Sequence, residues 1–286
     1  MITPVQKDEE LLNDILTTAE DASPALRLWW LGQSGFLVQV QGRHLLFDPY
    51  LSDSLTRKYE GTDKPHVRMT ELVISPERLD FIDVVTSSHN HTDHLDAETL
   101  LPLLRSNSDL PLVLPEANEM FARDRLQNTD VLFGGIDTGV TREVKGISFT
   151  GITAAHNEID RDEQGRSRYL GFVATIGHWR IYHSGDTLWH EHLVEELRNV
   201  GPIDVMLLPI NGNKPERHVA GNLNGTEAAA LAKVCRASTV IPCHYDMFTF
   251  NTESPVEFES ACSRLDQACK VLQCGEKLTI EASTGL

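Results

Sequence analysis

The chain has 286 residues, with 25 Lys and Arg against 42 Asp and Glu, which gives a formal net charge of −17. Hydrophobic residues make up 41% and charged residues 23%, a composition typical of globular proteins that excludes intrinsic disorder, coiled coils and disulfide scaffolds. The acidic excess argues against a nucleic-acid partner, because binding to phosphates depends on Lys and Arg. A small anionic substrate stays compatible with this charge, since it needs only a local cationic patch.

The predicted elements begin with an acidic segment, residues 1–24, that predicts a short leading helix or arm. Aromatic and aliphatic runs separated by glycines then predict an antiparallel meander, with strands at 26–31, 36–40 and 44–48. Further strands are predicted at 82–89, 111–115, 147–156, 169–176, 179–186, 203–210, 238–244, 270–274 and 277–282. Helices are predicted at 97–105, 116–127, 190–199, 226–237 and 254–269. This order predicts an α/β fold of two sheets with helices on their outer faces.

Targeting signals and cysteine usage indicate the cellular compartment of a protein. No apolar run approaches the ~20 residues that span a bilayer, and the N-terminal residues have neither the basic region nor the apolar run of a secretory signal. The five cysteines form no CxxC pair, and an odd number indicates reduced thiols. We therefore expect a cytoplasmic protein without a membrane partner, folded as a single domain over residues 1–286. The sequence leaves open whether it forms homo-oligomers.

The strongest chemical signal is the run HNHTDH, His89–His94, directly after a predicted buried strand. His89 and His91 point to the same side of the strand end, so their nitrogens can converge on one ion, while Asp93 and His94 can serve a second. Imidazole and carboxylate groups bind divalent ions such as Zn, Mn or Fe. This spacing indicates a metal centre rather than a solvated polar loop.

Three further residues of ligand type stand at the ends of other predicted strands: His156, Asp186 and His244. Each alone is a weak signal, because a single histidine is more often structural. Their common placement at strand ends carries the inference. The other histidines are expected at the surface or in structural roles: His44, His66, His178, His183, His190 and His192.

In order and spacing, HNHTDH, His156, the SGDT motif around Asp186 and the PCH motif ending at His244 resemble the metallo-β-lactamase superfamily. The resemblance covers nearly the whole chain and implies a four-layer αββα sandwich with metals at the sheet edge. It implies one ion held by His89, His91 and His156, another held by Asp93, His94 and His244, and a bridging Asp186.

Motifs outside these residues resemble the L-ascorbate-6-phosphate lactonase branch: Trp30–Phe36, Asp48–Ser52, Leu208–Gly212, Gly221–Asn222 and Cys243–Phe248. That branch implies manganese- or zinc-dependent hydrolysis of a phosphorylated sugar lactone. The segment Lys214–His218 is inserted where substrate contacts are expected. If this segment differs from the corresponding one in the lactonase branch, a different substrate is implied.

Asp48 has two interpretations of equal weight: it orients a ligand imidazole from behind, or it caps the following turn. Six residues are candidates for substrate contacts: Asn211, Lys214, Arg217, His218, Asn222 and Tyr245. The amides and the tyrosine would hydrogen-bond the substrate, although Asn beside Gly is also ordinary turn chemistry. The cations would bind a phosphate or carboxylate, or else belong to a solvated loop.

The predicted chemistry is attack by metal-bound hydroxide, because a divalent ion lowers the pKa of bound water from 15.7 towards ~7. Asp93 would orient the water or carry its proton. We expect a hydrolase of a small anionic ester or lactone that binds one or two divalent ions, Zn or Mn, with Fe as a third candidate. The alternatives are a phosphodiesterase of the same fold and a non-catalytic metal-binding scaffold, against which the complete ligand set argues.

Overall fold

Two β-sheets form the centre of the protein in a computed structural model that describes residues 1–19, 23–127 and 130–282. The strands are β1 (Leu26–Gly32), β2 (Gly35–Val40), β3 (Arg43–Phe47), β4 (Val84–Thr86), β5 (Pro111–Pro115), β6 (Leu132–Ile136), β7 (Thr141–Val144), β8 (Ile147–Thr153), β9 (Leu170–Ile176), β10 (Trp179–His183), β11 (Val205–Pro209), β12 (Thr239–Cys243) and β13 (Lys277–Ile280). The helices are α1 (Asp8–Ala19), α2 (Ser54–Lys58), α3 (Ala97–Ser106), α4 (Glu119–Arg125), α5 (Leu193–Val200), α6 (Gly225–Cys235) and α7 (Val256–Leu265).

The first sheet has seven strands in the order β13-β1-β2-β3-β4-β5-β6. The meander β1 to β3 is antiparallel, as predicted, and β3 to β6 run parallel. Every residue of β1 and β2 is buried. A strand covered on both faces takes a continuous apolar run rather than an alternating one, which explains LRLWWLG.

The second sheet has six strands in the order β12-β11-β10-β9-β8-β7. Strands β7 to β10 are antiparallel, including the predicted hairpin at Gly177-His178, and β10 to β12 are parallel. One continuous apolar core contains residues of both sheets, such as Trp29 of β1 and Phe172 of β9. Because β8 also runs parallel to β10, the carboxyl ends of β8, β10, β11 and β12 share one edge.

Helices cover the sheets on their outer sides. Helix α1 packs against the first sheet, where Trp29 Nε1 donates a hydrogen bond of 2.8 Å to Asp14 Oδ2. Helices α5 and α6 contact strands of the second sheet. This arrangement confirms the predicted class of two sheets flanked by helices. In the described part of the chain, no helix combines the length and the apolarity needed to cross a membrane.

Several predicted bounds differ from the structure. The leading helix is confirmed as α1, while residues 20–22 lie outside the described residues. Asp96 caps α3 as predicted, since its side chain accepts a hydrogen bond from Thr99 N. The last predicted helix is shorter and ends where Asp266 adopts a left-handed φ of +50°. The sequence did not predict α2, β6 or β7.

The prediction of a strand at 270–274 is wrong. These residues carry no strand, and a single parallel bridge joins Val240 to Cys269. The physical reason is topological. The chain leaves the second sheet after α7 and crosses to the first sheet, where β13 pairs with β1, so the crossing segment has no ladder to join.

Candidate metal centre

The run His89–His94 lies in the loop that joins β4 to α3. Strand β4 ends at Thr86, and Ser87 N donates to Val113 O at 2.9 Å, which anchors the start of the loop. Its end is anchored where Leu95 N donates to His91 O at 2.9 Å, just before α3. A buried strand and a capped helix therefore hold the loop from both sides.

Seven side chains from both sheets converge at this edge in two groups. In each group one ligand atom per residue lies within 4.8 Å of the others. The groups are His89, His91, His156 and Asp186, and Asp93, His94, Asp186 and His244. Asp186 belongs to both, and these are the groups that the sequence resemblance implied. His91 is the exposed member of the first group.

Outer hydrogen bonds fix which imidazole nitrogen faces inwards. His94 Nδ1 donates to Asp48 Oδ2 at 2.8 Å, which turns His94 Nε2 towards Asp93 Oδ2 at 3.6 Å and Asp186 Oδ1 at 3.4 Å. His156 Nδ1 donates to Gly221 O at 2.9 Å, and its Nε2 lies 3.6 Å from Asp186 Oδ2. Such outer partners are the usual way in which proteins orient histidine ligands.

Three inner atoms of the cluster are buried and have no hydrogen-bond partner among the described residues: His89 Nε2, His94 Nε2 and Asp186 Oδ1. Buried polar atoms almost always find a partner, because leaving one unpaired costs about 1–3 kcal/mol. Cations held by the two groups would supply partners to all three atoms. Imidazole and carboxylate donors in this arrangement fit a divalent metal ion.

The pKa shifts differ between the two groups of the centre: carboxylates favour the protonated form of His244 in the second group, whereas His91 in the first group is kept neutral. Burial alone would raise the pKa of Asp186, but His244 and His94 hold it well below its usual value. Burial alone would lower the pKa of His244, but Asp186 and Asp93 raise it to about 9. In His91, burial and the neighbouring His156 lower the pKa to about 4, which keeps its lone pair available. A metal cation would replace the protons on this cluster.

Asp48 lies directly behind the centre and is wholly buried. Besides His94, it accepts hydrogen bonds from Thr86 Oγ1 at 2.6 Å and from Ser88 N at 3.1 Å. Burial alone would raise its pKa, but His183, His94 and Ser88 lower the pKa to about 2. The carboxylate is therefore ionised, and its contact with His94 is that of a residue orienting a ligand imidazole.

Gln33 is a site residue that the sequence interpretation missed. Its side chain is 3% exposed, and Nε2 lies 2.9 Å from Asp93 Oδ2 and 3.0 Å from His244 Nε2. Gln33 stands in the β1–β2 turn with a φ of +49°, a left-handed conformation that aims the side chain at the centre. The sequence signal for it is a polar residue between Gly32 and Gly35, at the turn between two predicted strands.

A cavity of ≈ 240 Å³ opens over the centre. It reaches His91, Asp93, His156, Asp186 and His244 and is walled by Leu55, Lys58, Tyr59, Lys64, His66, Thr92, His218, Val219, Ala220 and Asn251. The segment from α2 to His66 was not predicted to take part. His66, which was expected at the surface or in a structural role, also lines this cavity.

Of the six predicted substrate-contact residues, His218 lines the cavity. Asn211 and Asn222 are fully buried and hydrogen-bond each other at 3.1 Å, so both have structural partners. Tyr245 is buried against Trp30, with ring centroids 4.4 Å apart, and its hydroxyl donates to Leu272 O. These three residues support the walls of the site rather than line the cavity, which corrects the prediction that they contact substrate.

Lys214 and Arg217 are also placed differently from the prediction. Both form ion pairs with Glu253. Arg217 Nη1 also donates to Asn211 O at 2.6 Å and to Asn251 Oδ1 at 3.1 Å, and neither cation is part of the cavity wall in the described residues. Both side chains are held by Glu253 outside the described cavity wall, which corrects the prediction that they read the charge of a substrate there.

Comparisons with known proteins agree with this geometry. The model of the family described as "Beta-lactamase superfamily domain" matches residues 27–244 of this chain. A "UPF0173 metal-dependent hydrolase" of Methanosarcina mazei is 28% identical over 263 residues, covering 89% of this chain and 99% of that protein. In structure, the chain is similar to Igni18, a metallo hydrolase from Ignicoccus hospitalis, with a TM-score of 0.66, 22% identity and coverage of 91% and 100%.

The metallo-beta-lactamase fold protein YhfI from Bacillus subtilis is also similar, with a TM-score of 0.64, 15% identity and coverage of 90% and 100%. These two structural matches concern the fold, whereas the family match covers most of the sequence, including every residue of the two convergent groups. The chain therefore belongs to the beta-lactamase superfamily, and its two sheets flanked by helices form the metallo-β-lactamase fold.

Proposed function

We propose that this chain is a metal-dependent hydrolase that acts on a small anionic ester or lactone. The observation that carries the proposal is the set of buried, unpartnered inner atoms, His89 Nε2, His94 Nε2 and Asp186 Oδ1, in a cluster whose other members line a cavity together with Asp186. The names of the UPF0173 relatives also support a metal-dependent hydrolase. The ester or lactone specificity is supported by the sequence resemblance to the lactonase branch and by the cations in the cavity wall.

In this proposal His89, His91 and His156 would hold one ion, Asp93, His94 and His244 would hold a second, and Asp186, which belongs to both groups, would serve both. Zinc and manganese suit this donor set, and iron is the third candidate. A divalent ion supplies Lewis acidity and lowers the pKa of a water molecule towards ~7. The other roles in the proposed reaction belong to side chains of the protein itself.

Asp93 is the residue proposed to orient the attacking water and to accept its proton. Its side chain is 14% exposed and lines the cavity, so a water molecule can reach it. Gln33 Nε2 donates to Asp93 Oδ2 and holds the carboxylate in place. The cavity wall in the described residues contains no Ser or Cys. The proposal uses water as the nucleophile rather than a serine or cysteine side chain.

The test is turnover by purified, metal-loaded protein on matched panels of lactones, carboxylic esters and phosphodiesters, with the metal content measured in parallel. We expect hydrolysis of anionic lactones or esters that disappears on chelation and returns with added metal. Turnover confined to phosphodiesters would replace the proposal with a phosphodiesterase. Full metal content without turnover on any panel would favour a non-catalytic scaffold.

A further inference from the structure

Two lysines give the cavity wall its unpaired positive charge. Lys58 and Lys64 both line the cavity that contains the metal-centre residues Asp93, Asp186 and His244. Neither forms an ion pair with a carboxylate in the described chain, in contrast to Lys214 and Arg217, which share Glu253. Lys58 and Lys64 thus line the same cavity as Asp93 and Asp186.

Lys58 is coupled directly to the metal-binding loop. It is the last residue of α2, and its Nζ donates to Thr92 Oγ1 at 3.0 Å. Thr92 stands between His91 and Asp93, one from each group of the metal centre. An ammonium group has three N–H donors, so two remain for a ligand. A ligand bound there would lie beside the metal-binding side chains.

Lys64 belongs to the same segment between β3 and β4 and also lines the cavity. Its side chain is half-buried, and its Nζ donates to the carbonyl of His218, which also lines the cavity. Again two N–H donors remain. The hydrogen bond from Lys64 to His218 connects the segment that follows α2 with the segment that follows β11.

Internal contacts hold the lysine-bearing segment in place. The rings of Tyr59 and His66 stack with centroids 4.4 Å apart, and Thr56 Oγ1 donates to His66 O at 2.7 Å. His66 Nδ1 lies 2.7 Å from Lys64 O, where it donates a hydrogen bond. A fixed segment loses little freedom when a ligand binds, which makes its charges effective in recognition.

We propose that Lys58 and Lys64 form an oxyanion subsite, which binds the carboxylate or phosphate of the substrate while the bond to be hydrolysed lies at the metal centre. This inference rests on the proposed function and identifies which residues select the substrate class. The chain carries a net charge of −17, so it repels anions at long range, and only charges within ~8 Å escape screening at physiological salt. The lysines supply that short-range attraction.

The size of the cavity restricts the ligand further. Its volume of ≈ 240 Å³ lies below the ≈ 300–1,000 Å³ common for pockets that hold drug-sized ligands. The contact between Lys58 and Thr92 places the anion close to the metal-binding residues. The subsite therefore suits a short acid, in which few bonds separate the anionic group from the ester or lactone.

The test compares the metal-loaded wild type with K58Q, K64Q and the double variant on a lactone bearing a carboxylate, the same lactone bearing a phosphate, and a neutral analogue. Glutamine keeps a hydrogen-bond donor and removes the charge. We expect each single variant to raise KM about tenfold for at least one anionic substrate, with kcat and metal content unchanged and the neutral analogue affected less than about twofold. The two anionic substrates distinguish a carboxylate ligand from a phosphate ligand.

K145Q is the matched control. Lys145 stands in the β7–β8 turn, at the opposite end of β8 from His156, so this variant makes the same change in net charge away from the cavity. A rise in KM as large in K145Q, an equal loss on the neutral analogue, or no change in either lysine variant would overturn the proposal.

A second readout does not depend on turnover. Inorganic phosphate is titrated calorimetrically into the metal-loaded wild type, the double variant and K145Q. We expect phosphate to bind at least tenfold more weakly to the double variant than to the other two. If no substrate is hydrolysed but this difference persists, the hydrolase proposal fails and the subsite stands. If substrates are hydrolysed and the difference is absent, the hydrolase proposal stands and the subsite fails.

Discussion

His94 Nδ1 donates a hydrogen bond of 2.8 Å to Asp48 Oδ2, and neither side chain is exposed to solvent. The two residues follow neighbouring parallel strands of the first sheet. Asp48 comes directly after β3, and His94 lies in the loop after β4. This contact decides which nitrogen of His94 faces Asp93 and Asp186. It therefore links the interior of the sheet to the direction of one metal-binding side chain.

We predict that Asp48→Asn weakens metal binding by about 10–100-fold, the usual cost of losing an outer partner of a histidine ligand. An amide has one acceptor oxygen in place of two, and its NH₂ group would face the donors Thr86 Oγ1 or Ser88 N. Competition with a chromogenic chelator measures the affinity. Asp83→Asn is the control, because Asp83 contacts His44 away from the centre. Equal affinity in the two variants would contradict the role of Asp48.

We predict that His91→Ala abolishes hydrolysis and lowers the metal content, because it removes one ligand from the first group. Wild-type protein should also gain about 2.7 kcal/mol of stability at a metal concentration of 100 Kd, and this gain should shrink in the variant. Elemental analysis and thermal unfolding with and without chelator measure both effects. The control is His178→Ala, in the exposed β9–β10 hairpin. Full metal content with normal turnover would refute the assignment of His91.

Asp186→Asn should lower turnover about a hundredfold or more while leaving a cooperatively folded protein. The carboxylate lies 3.4 Å from His94 Nε2 and 3.5 Å from His244 Nε2, and it belongs to both groups, so a neutral amide cannot replace its charge. Steady-state kinetics and urea unfolding are the measurements. Asp204→Asn is the control, because Asp204 Oδ2 accepts from Arg180 N away from the centre. Wild-type turnover at limiting metal would exclude a bridging role.

Below pH ~6.5 we predict that the metal-free protein loses stability in part through His44. Burial lowers the pKa of His44, against an opposing effect of Asp83. Unfolding restores the ordinary pKa of about 6.5, so the unfolded chain binds more protons and stability falls as the pH falls. In saturating chelator, His44→Gln should reduce the slope of unfolding free energy against pH, by at most about 1.4 kcal/mol per pH unit. Exposed His192→Gln is the control, and an equal slope in both variants would contradict the prediction.

The metal-centre residues could be predicted because each follows an apolar strand whose pattern is visible in the sequence. The carboxyl ends of β8, β10 and β12 share an edge, which brings His156, Asp186 and His244 together. The fold class followed from the same strands. Each strand pattern can be recognised from residues that are close in sequence. The carboxyl ends of parallel strands lie at one edge in any such sheet, so the convergence of the residues that follow them can be expected without the structure.

The cavity wall could not be predicted in the same way. Arg217 forms an ion pair with Glu253, a partner from a different segment of the chain, and nothing local distinguishes it from a free cation. Lys58 ends a five-residue helix that is too short to show periodicity. Lys58 Nζ donates to Thr92 in the loop after β4, a contact that only the tertiary structure shows. The sequence alone therefore cannot distinguish Lys58, which lines the cavity, from Arg217, which does not.

The two kinds of functional residue belong to different parts of the chain. Side chains that converge at the metal centre follow strands of both sheets, whereas Lys58 and Lys64 belong to one excursion between β3 and β4. Exchanging only residues 54–66 of that excursion, and keeping Asp48, would alter which acid is accepted and leave the hydrolytic centre in place. Reactivity and substrate choice can therefore diverge independently, in evolution and in engineered chimaeras.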